Sequence, residues 1–88
     1  MPNTVDYDIT VPEGITPDYP LPELPPIQRG DLIVIKGHAP NWRLCAAFNR
    51  VLKSDDVGAI AIYNIRQGHG IAVVVVSRIP DYEVNQII

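Results

Sequence analysis

Two short stretches hold the residues best suited to chemistry. In the first, Gly37, His38, Asn41 and Trp42 fall within the six residues Gly-His-Ala-Pro-Asn-Trp. A glycine lets backbone approach a ligand closely. A helix start presents free amides and the positive end of the helix dipole, which together favour an anion. Tryptophan offers a flat face on which a base can stack. In the second stretch, Asn64, Arg66, Gln67 and His69 are interleaved with Gly68 and Gly70. Arginine suits bidentate contact with phosphate, and histidine suits proton transfer near neutral pH. Each stretch also has a plain structural reading. Pro40-Asn41 is a helix start with Asn41 as its cap and Trp42 as a core plug, and Arg66 and His69 are solvated turn residues.

The elements that must position these residues follow from periodicity. Val5, Tyr7, Ile9 and Val11 alternate with Asp6, Asp8 and Thr10, the pattern of a half-buried edge strand. Six of the nine prolines then lie between Pro12 and Pro26. Proline removes amide donors and disfavours helix, so residues 12–30 read as an extended connector. Its Ile15, Tyr19, Leu21, Leu24 and Ile27 suggest that it packs against the body. Asp-Leu-Ile-Val-Ile-Lys at 31–36 is a continuous apolar strand buried on both faces. A helix follows, with Leu44, Cys45, Phe48, Val51 and Leu52 on one stripe and Arg43 and Arg50 on another face. Val57–Tyr63 and Ile71–Ser77 are further apolar strands, separated by a polar turn over Asn64–Gly70. A proline-marked turn and a short last strand close the chain. The fold class is α/β: a small Rossmann-like sheet with a strand–helix–strand crossover and one principal helix. A single domain spans 1–88, with an edge strand over 1–11, the connector over 12–30 and the core over 31–88. Parallel sheets of this kind bind ligands beyond the carboxyl ends of their strands. Both chemical stretches fall there if the first two core strands run parallel.

Composition narrows the function classes. With 88 residues, 47% of them hydrophobic and a net charge of −3, the chain is a small globular domain without a broad basic footprint for duplex DNA. Its marginal size favours a homodimer. Residues 1–27 hold five acids and no Lys or Arg, whereas 29–53 hold five bases and one acid, Asp31. The bases therefore gather around the first chemical stretch, which suits a compact anion such as phosphate. One cysteine, Cys45, excludes an intrachain disulfide and a cysteine-rich zinc site, and on the apolar stripe it reads as a small core residue. No segment approaches the roughly 20 apolar residues of a membrane-spanning helix. A cytoplasmic location is the expectation, with no membrane partner. His38 and His69 match no metal-ligand spacing, and no metal or other cofactor is expected from the residues.

Gly-His-Ala-Pro-Asn-Trp-Arg-Leu-Cys-Ala, then Ala-Ile-Ala-Ile-Tyr-Asn-Ile-Arg-Gln-Gly, then the valine strand running into Ser77 and Pro80-Asp81-Tyr82 resemble one family. It is the small CRISPR-associated ring-nuclease family of type III systems, short dimeric domains similar to half of a CARF sensor. The resemblance runs from about Leu32 to the end of the chain. It implies binding of cyclic tetra-adenylate, the second messenger of type III CRISPR defence, and its cleavage to linear di-adenylate. It also implies a homodimer stacked head to tail around the ring, and it allows manganese, which some members use to trim RNA. The family's acid in the turn after the second core strand falls at Asn64, and its histidine after the valine strand falls at Arg78. Its histidine near the helix end has no counterpart. Arg66 carries over.

Three readings follow. In the first, the chain is a metal-independent ring nuclease. Arg66 and His69 are catalytic, and Gly37, His38, Asn41, Trp42, Asn64, Arg66, Gln67 and Arg78 bind the ring. In the second, the same groups sequester the ring without cutting it. In the third, the chain is a structural or adaptor domain with no nucleotide site.

Overall fold

A computed structural model describes residues 3–66 and 69–88, with side chains for 3–63 and 70–88. Five elements follow one another: β1 (Thr4–Asp8), β2 (Asp31–Lys36), α1 (Asn41–Leu52), β3 (Val57–Arg66) and β4 (His69–Ser77). The strands form one sheet in the order β1-β2-β3-β4. β1, β2 and β3 run parallel, and β4 returns antiparallel to β3. The α/β class, the β2–α1–β3 crossover and the single helix are as the sequence predicts.

Three boundaries differ from expectation, the first being the edge strand, which ends at Asp8 and not at Val11. Most of the predicted polar turn over Asn64–Gly70 is strand, because Arg66 pairs with His69 in register and Asn64 pairs with Ile71. Ladder hydrogen bonds are made by the backbone, so polar side chains do not prevent them. Gln67 and Gly68 lie outside the described residues. The expected last strand is a single antiparallel bridge between Val73 and Ile87. It is supported by bonds from Val74 N to Gln86 O (2.9 Å) and from Ile88 N to Ala72 O (2.9 Å).

The sheet buries both faces. On the helix side, Tyr7, Ile9, Ile33, Ile35 and Ile60 meet Ala47 and Val51 of α1. On the other side, Leu32, Val34, Ala59, Ala61, Ala72 and Val74 form a second cluster, with Tyr82 against it. β2 serves both clusters, with Leu32 and Val34 on one face and Ile33 and Ile35 on the other. This is why it reads as unbroken apolar sequence. At its start the buried Asp31 accepts hydrogen bonds from Asn3 N (3.2 Å) and Gln28 N (2.8 Å). It thereby ties β1 and the connector to β2. Gly58 is needed where β3 begins, since a Cβ there would collide with the backbone of Gly30.

The connector crosses from β1 to β2 with no helix of its own. Leu21, Leu24 and Ile27 pack on the helix-side core as expected, whereas Tyr19 is exposed. Its carbonyls are satisfied from α1. Arg43, only 2% exposed, donates Nε–H to Ile9 O (3.1 Å), Nη1–H to Tyr19 O (3.2 Å) and Nη2–H to Pro20 O (3.2 Å). Its guanidinium also lies over the Tyr19 ring, 5.3 Å from the centroid. One helical repeat on, Arg50 donates to Pro22 O (3.0 Å), and the Tyr7 hydroxyl donates to the same carbonyl (2.6 Å).

The buried line of α1 is therefore Arg43, Ala47 and Val51, flanked by Leu44, Phe48 and Leu52. Cys45 is exposed, correcting its placement in the core. It sits about 200° around the helix from Arg43, and Arg43 has the inward position because connector carbonyls await it there.

Arg43→Met keeps the apolar stem and removes all three donors. Urea unfolding should show a loss of about 2–4 kcal/mol. Arg43→Lys should recover little of it, because an ammonium cannot span three carbonyls as the guanidinium fork does. Arg50→Met, at an exposed site, should cost less than about 1 kcal/mol. Equal losses at the two positions would refute the primacy of Arg43.

Candidate functional site

Because β2 and β3 are parallel, their carboxyl ends point the same way; Lys36 ends β2 level with Tyr63, and β3 runs on three residues to Arg66, where β4 begins. The loop from Gly37 to Pro40 leads from the end of β2 into α1. The topology thus brings the two chemical stretches of the sequence to the same end of the sheet, its rim.

The loop is shaped by the residues that follow β1. Ile9 N donates to Lys36 O (2.8 Å), Val11 N to His38 O (3.2 Å) and His38 N to Thr10 Oγ1 (3.3 Å). Asp8 accepts from Thr10 N (2.9 Å) and Thr10 Oγ1 (2.6 Å). Gly37 has φ +121°, and a Cβ there would lie 2.5 Å from Thr10 Oγ1 and 2.6 Å from Asp8 Oδ1. The space opened by this glycine is filled by the chain's own Asp8–Thr10 turn.

Pro40 occupies the cap position of α1, and no side chain caps the helix. Asn41 is the first helical residue, one place later than a capping role requires. The first turn holds no acid, so its positive dipole end is unneutralised. A cavity of about 170 Å³ lies between this helix start and the ends of β2 and β3. Lys36, Gly37, Ala39, Asn41 and Tyr63 border it, above half-buried Leu44 and Ile62 and the fully buried Ile9 and Ile35. Trp42 is 41% exposed, which corrects the core-plug reading. It forms a ridge between two grooves. One, of about 390 Å³, contains His38 and connector residues from Val11 to Ile15. The other, of about 490 Å³, contains Tyr19 and Arg50.

Asn64, Arg66 and His69 lie at the rim by their backbone, in the paired ends of β3 and β4. Their side chains, and Gln67 entirely, are outside the described residues. Arg78 is at the opposite pole. Its guanidinium donates to Leu52 O (2.6 Å) and Ser54 O (2.8 Å), and its backbone N–H donates to Gly58 O (2.7 Å). It closes the carboxyl end of α1 and does not join the other candidate residues.

Two further residues border the rim without being among the candidate site residues, Lys36 and Tyr63. Period two places Lys36 on the Leu32–Val34 face and Tyr63 on the Ala59–Ala61 face, both away from the helix. Lys36 Nζ donates to Asp6 Oδ2 (2.9 Å), and this carboxylate holds the ammonium above its ordinary pKa. The Tyr63 hydroxyl occupies the space that a Cβ at Gly70 would need. The alternation was the available signal, since it continues both apolar faces by one more residue.

The protein is thus a small α/β domain whose polar rim, at the carboxyl ends of parallel strands, adjoins an uncapped helix start. It belongs to the family of CRISPR-associated proteins described as Cas_csx3, whose profile matches residues 9–88. No curated protein and no solved structure matches the chain. Among the described residues there is no group of three or more His, Cys, Asp or Glu able to hold a metal ion. Manganese, which the resemblance allows, thus finds no such ligand set there. Nor is any described helix long and apolar enough to cross a membrane.

Two measurements check this construction. Gly37→Ala should destabilise by more than about 2 kcal/mol in urea, since it adds both backbone strain and a clash. Hydrogen bonds from Thr10, the side-chain one first, hold the Asp8 carboxyl below its ordinary pKa. A depressed folded pKa adds stability above the unfolded value of about 3.9 and loses it as pH falls through the folded value. Wild type should therefore exceed Asp8→Asn in Tm above about pH 4, with the difference disappearing as pH falls further. A difference constant from pH 6 to 2 would contradict the assignment.

Proposed function

We propose that the protein binds cyclic tetra-adenylate at this rim and cleaves it to linear di-adenylate, switching off a type III CRISPR response. One observation supports the reading most. In a chain of a CRISPR-associated family, parallel strand ends adjoin an uncapped helix start, and the β3–β4 end bearing Arg66 and His69 extends beyond them at the same end of the sheet.

The reaction that suits these residues is transesterification. A ribose 2′-hydroxyl attacks its neighbouring phosphorus and the P–O5′ bond breaks. The products are a 2′,3′-cyclic phosphate and a free 5′-hydroxyl. The protein needs to hold the hydroxyl in line and to stabilise the charged phosphate. In this proposal Arg66 supplies that stabilisation. His69 takes the 2′ proton or delivers one to the departing 5′ oxygen. The Gly37–Trp42 loop and the amides at the start of α1 hold a further phosphate. A second copy stacked head to tail would enclose the ring.

The engagement of Arg78 with helix carbonyls favours a second reading. With Asn64 in place of an acid and Arg78 committed elsewhere, the rim would hold the ring without cutting it.

Labelled cyclic tetra-adenylate incubated with the protein, with and without EDTA, separates the cases. Linear product in EDTA is the expected result. Binding without product supports sequestration. No binding at low salt, where phosphate contacts are strongest, leaves an adaptor role. Arg66→Ala should lower the cleavage rate by about 100-fold or more, and unchanged cleavage would remove Arg66 from the mechanism.

A further inference from the structure

We infer that Lys36 contacts a phosphate of the ligand at the rim, and that Asp6 holds its ammonium back until that phosphate takes the carboxylate's place. The inference rests on the proposal that the rim binds a phosphate-bearing ring, and it adds a binding residue and the acid that restrains it.

The placement of the cations points to Lys36. Among the described side chains, Arg43 and Arg50 donate to connector carbonyls and Arg78 donates to the end of α1. Lys53 follows α1 at that same end. Arg29 precedes β2 and pairs with Asp56, which precedes β3, so this pair lies at the amino ends of both strands. Lys36 is the described cation that ends a parallel strand, and it borders the cavity beside Gly37, Asn41 and Tyr63. Ligands of open sheets sit beyond such strand ends.

The register shows that the ammonium is turned away from that position. Lys36 is level with Asp8 in the sheet, whereas Asp6 is level with Val34, two residues back along β2. The bond from Lys36 Nζ to Asp6 Oδ2 (2.9 Å) therefore draws the side chain back over the sheet. Asp8 is the nearer acid by register, but its Oδ1 accepts from Thr10 N and Thr10 Oγ1. Asp6 is thus the acid that restrains the ammonium. The side chains of the pair are 38% and 55% exposed, so water reaches both and the pair exchanges readily. Lysine carries a compact charge on a flexible four-carbon stem. Turned forward, the same stem reaches past the end of β2. A phosphate there offers the ammonium what Asp6 offers it, an anionic oxygen acceptor.

The test uses the full chain and two probes, cyclic tetra-adenylate and inorganic pyrophosphate. Binding of each is measured over a range of salt concentrations. Lys36→Met should weaken binding by about 10-fold. It should also make the dependence of log affinity on log salt shallower by about 1. Its unfolding midpoint should stay near that of wild type, since an exposed ion pair adds little stability. Asp6→Asn should tighten binding by about 2- to 5-fold. In the Lys36→Met background, Asp6→Asn should change nothing, because Asp6 acts through the lysine. An acid that merely repels the ligand would tighten binding equally in both backgrounds, and that result overturns the inference. If cyclic tetra-adenylate binds and Lys36→Met alters neither affinity nor salt dependence, the proposed function stands and this inference falls. If pyrophosphate binds through Lys36 but the cyclic ligand does not bind, the anion contact stands and the proposed ring is wrong. If neither probe binds, both fall.

Discussion

The fold depends on a buried guanidinium meeting a run of carbonyls. β1 and β2 are parallel neighbours, so the chain must cross between their opposite ends, and it does so through a proline-rich connector. Such a segment satisfies few of its own carbonyls, Thr16 O accepting from Tyr19 N being one, because prolines withhold the donors that a helix or ladder would use. An unpaired buried carbonyl is costly. Arg43 answers this from α1 by donating to Ile9, Tyr19 and Pro20 at once. The same contacts compensate its own burial, since a buried charge persists only where its hydrogen bonds are made. Connector and helix thereby form one layer over the sheet, and Leu21, Leu24 and Ile27 add to its core.

That layer also shapes the rim. Once the chain after β1 is held by Arg43, its Thr10 and Val11 lie beside the loop that follows β2. Their bonds to His38 and the contact of Thr10 with Gly37 set the path of the loop into α1. The charge distribution follows the same division. Arg43, Arg50 and Arg78 are committed to backbone carbonyls, and Lys36 is paired with Asp6. Three of the five bases of residues 29–53 are therefore engaged within the fold. Among the described side chains, what the rim offers an anion without displacing a partner is the uncapped helix start, with Asn41 beside it.

Much of this was legible before any coordinates. Unbroken apolar runs marked the doubly buried strands, and helical spacing marked α1. The prolines marked the connector, and the parallel reading placed Gly37 and Arg66 on one edge. Other features were not. Asp31 looked like an isolated acid among bases, yet it bonds Asn3 and Gln28 from a buried site. Cys45 belonged to the apolar stripe by type, and Arg43 did not. Hydrophobicity ranks a residue by its side chain alone, without the partners it will meet.

By itself, then, the sequence determined what depends on local pattern: the α/β class, the order of elements, and the two stretches from which a site could be built. It also carried membership of a CRISPR-associated family, because short motifs survive in linear order. Tertiary structure alone decided which polar residues are free. Arg78, read as a ligand residue by resemblance, closes the end of α1. Asn41, read as a cap, is the first helical residue and borders a cavity. Commitment of a polar side chain depends on which carbonyls and amides arrive beside it. Residues 34 positions apart, such as Arg43 and Ile9, meet only when the chain has folded.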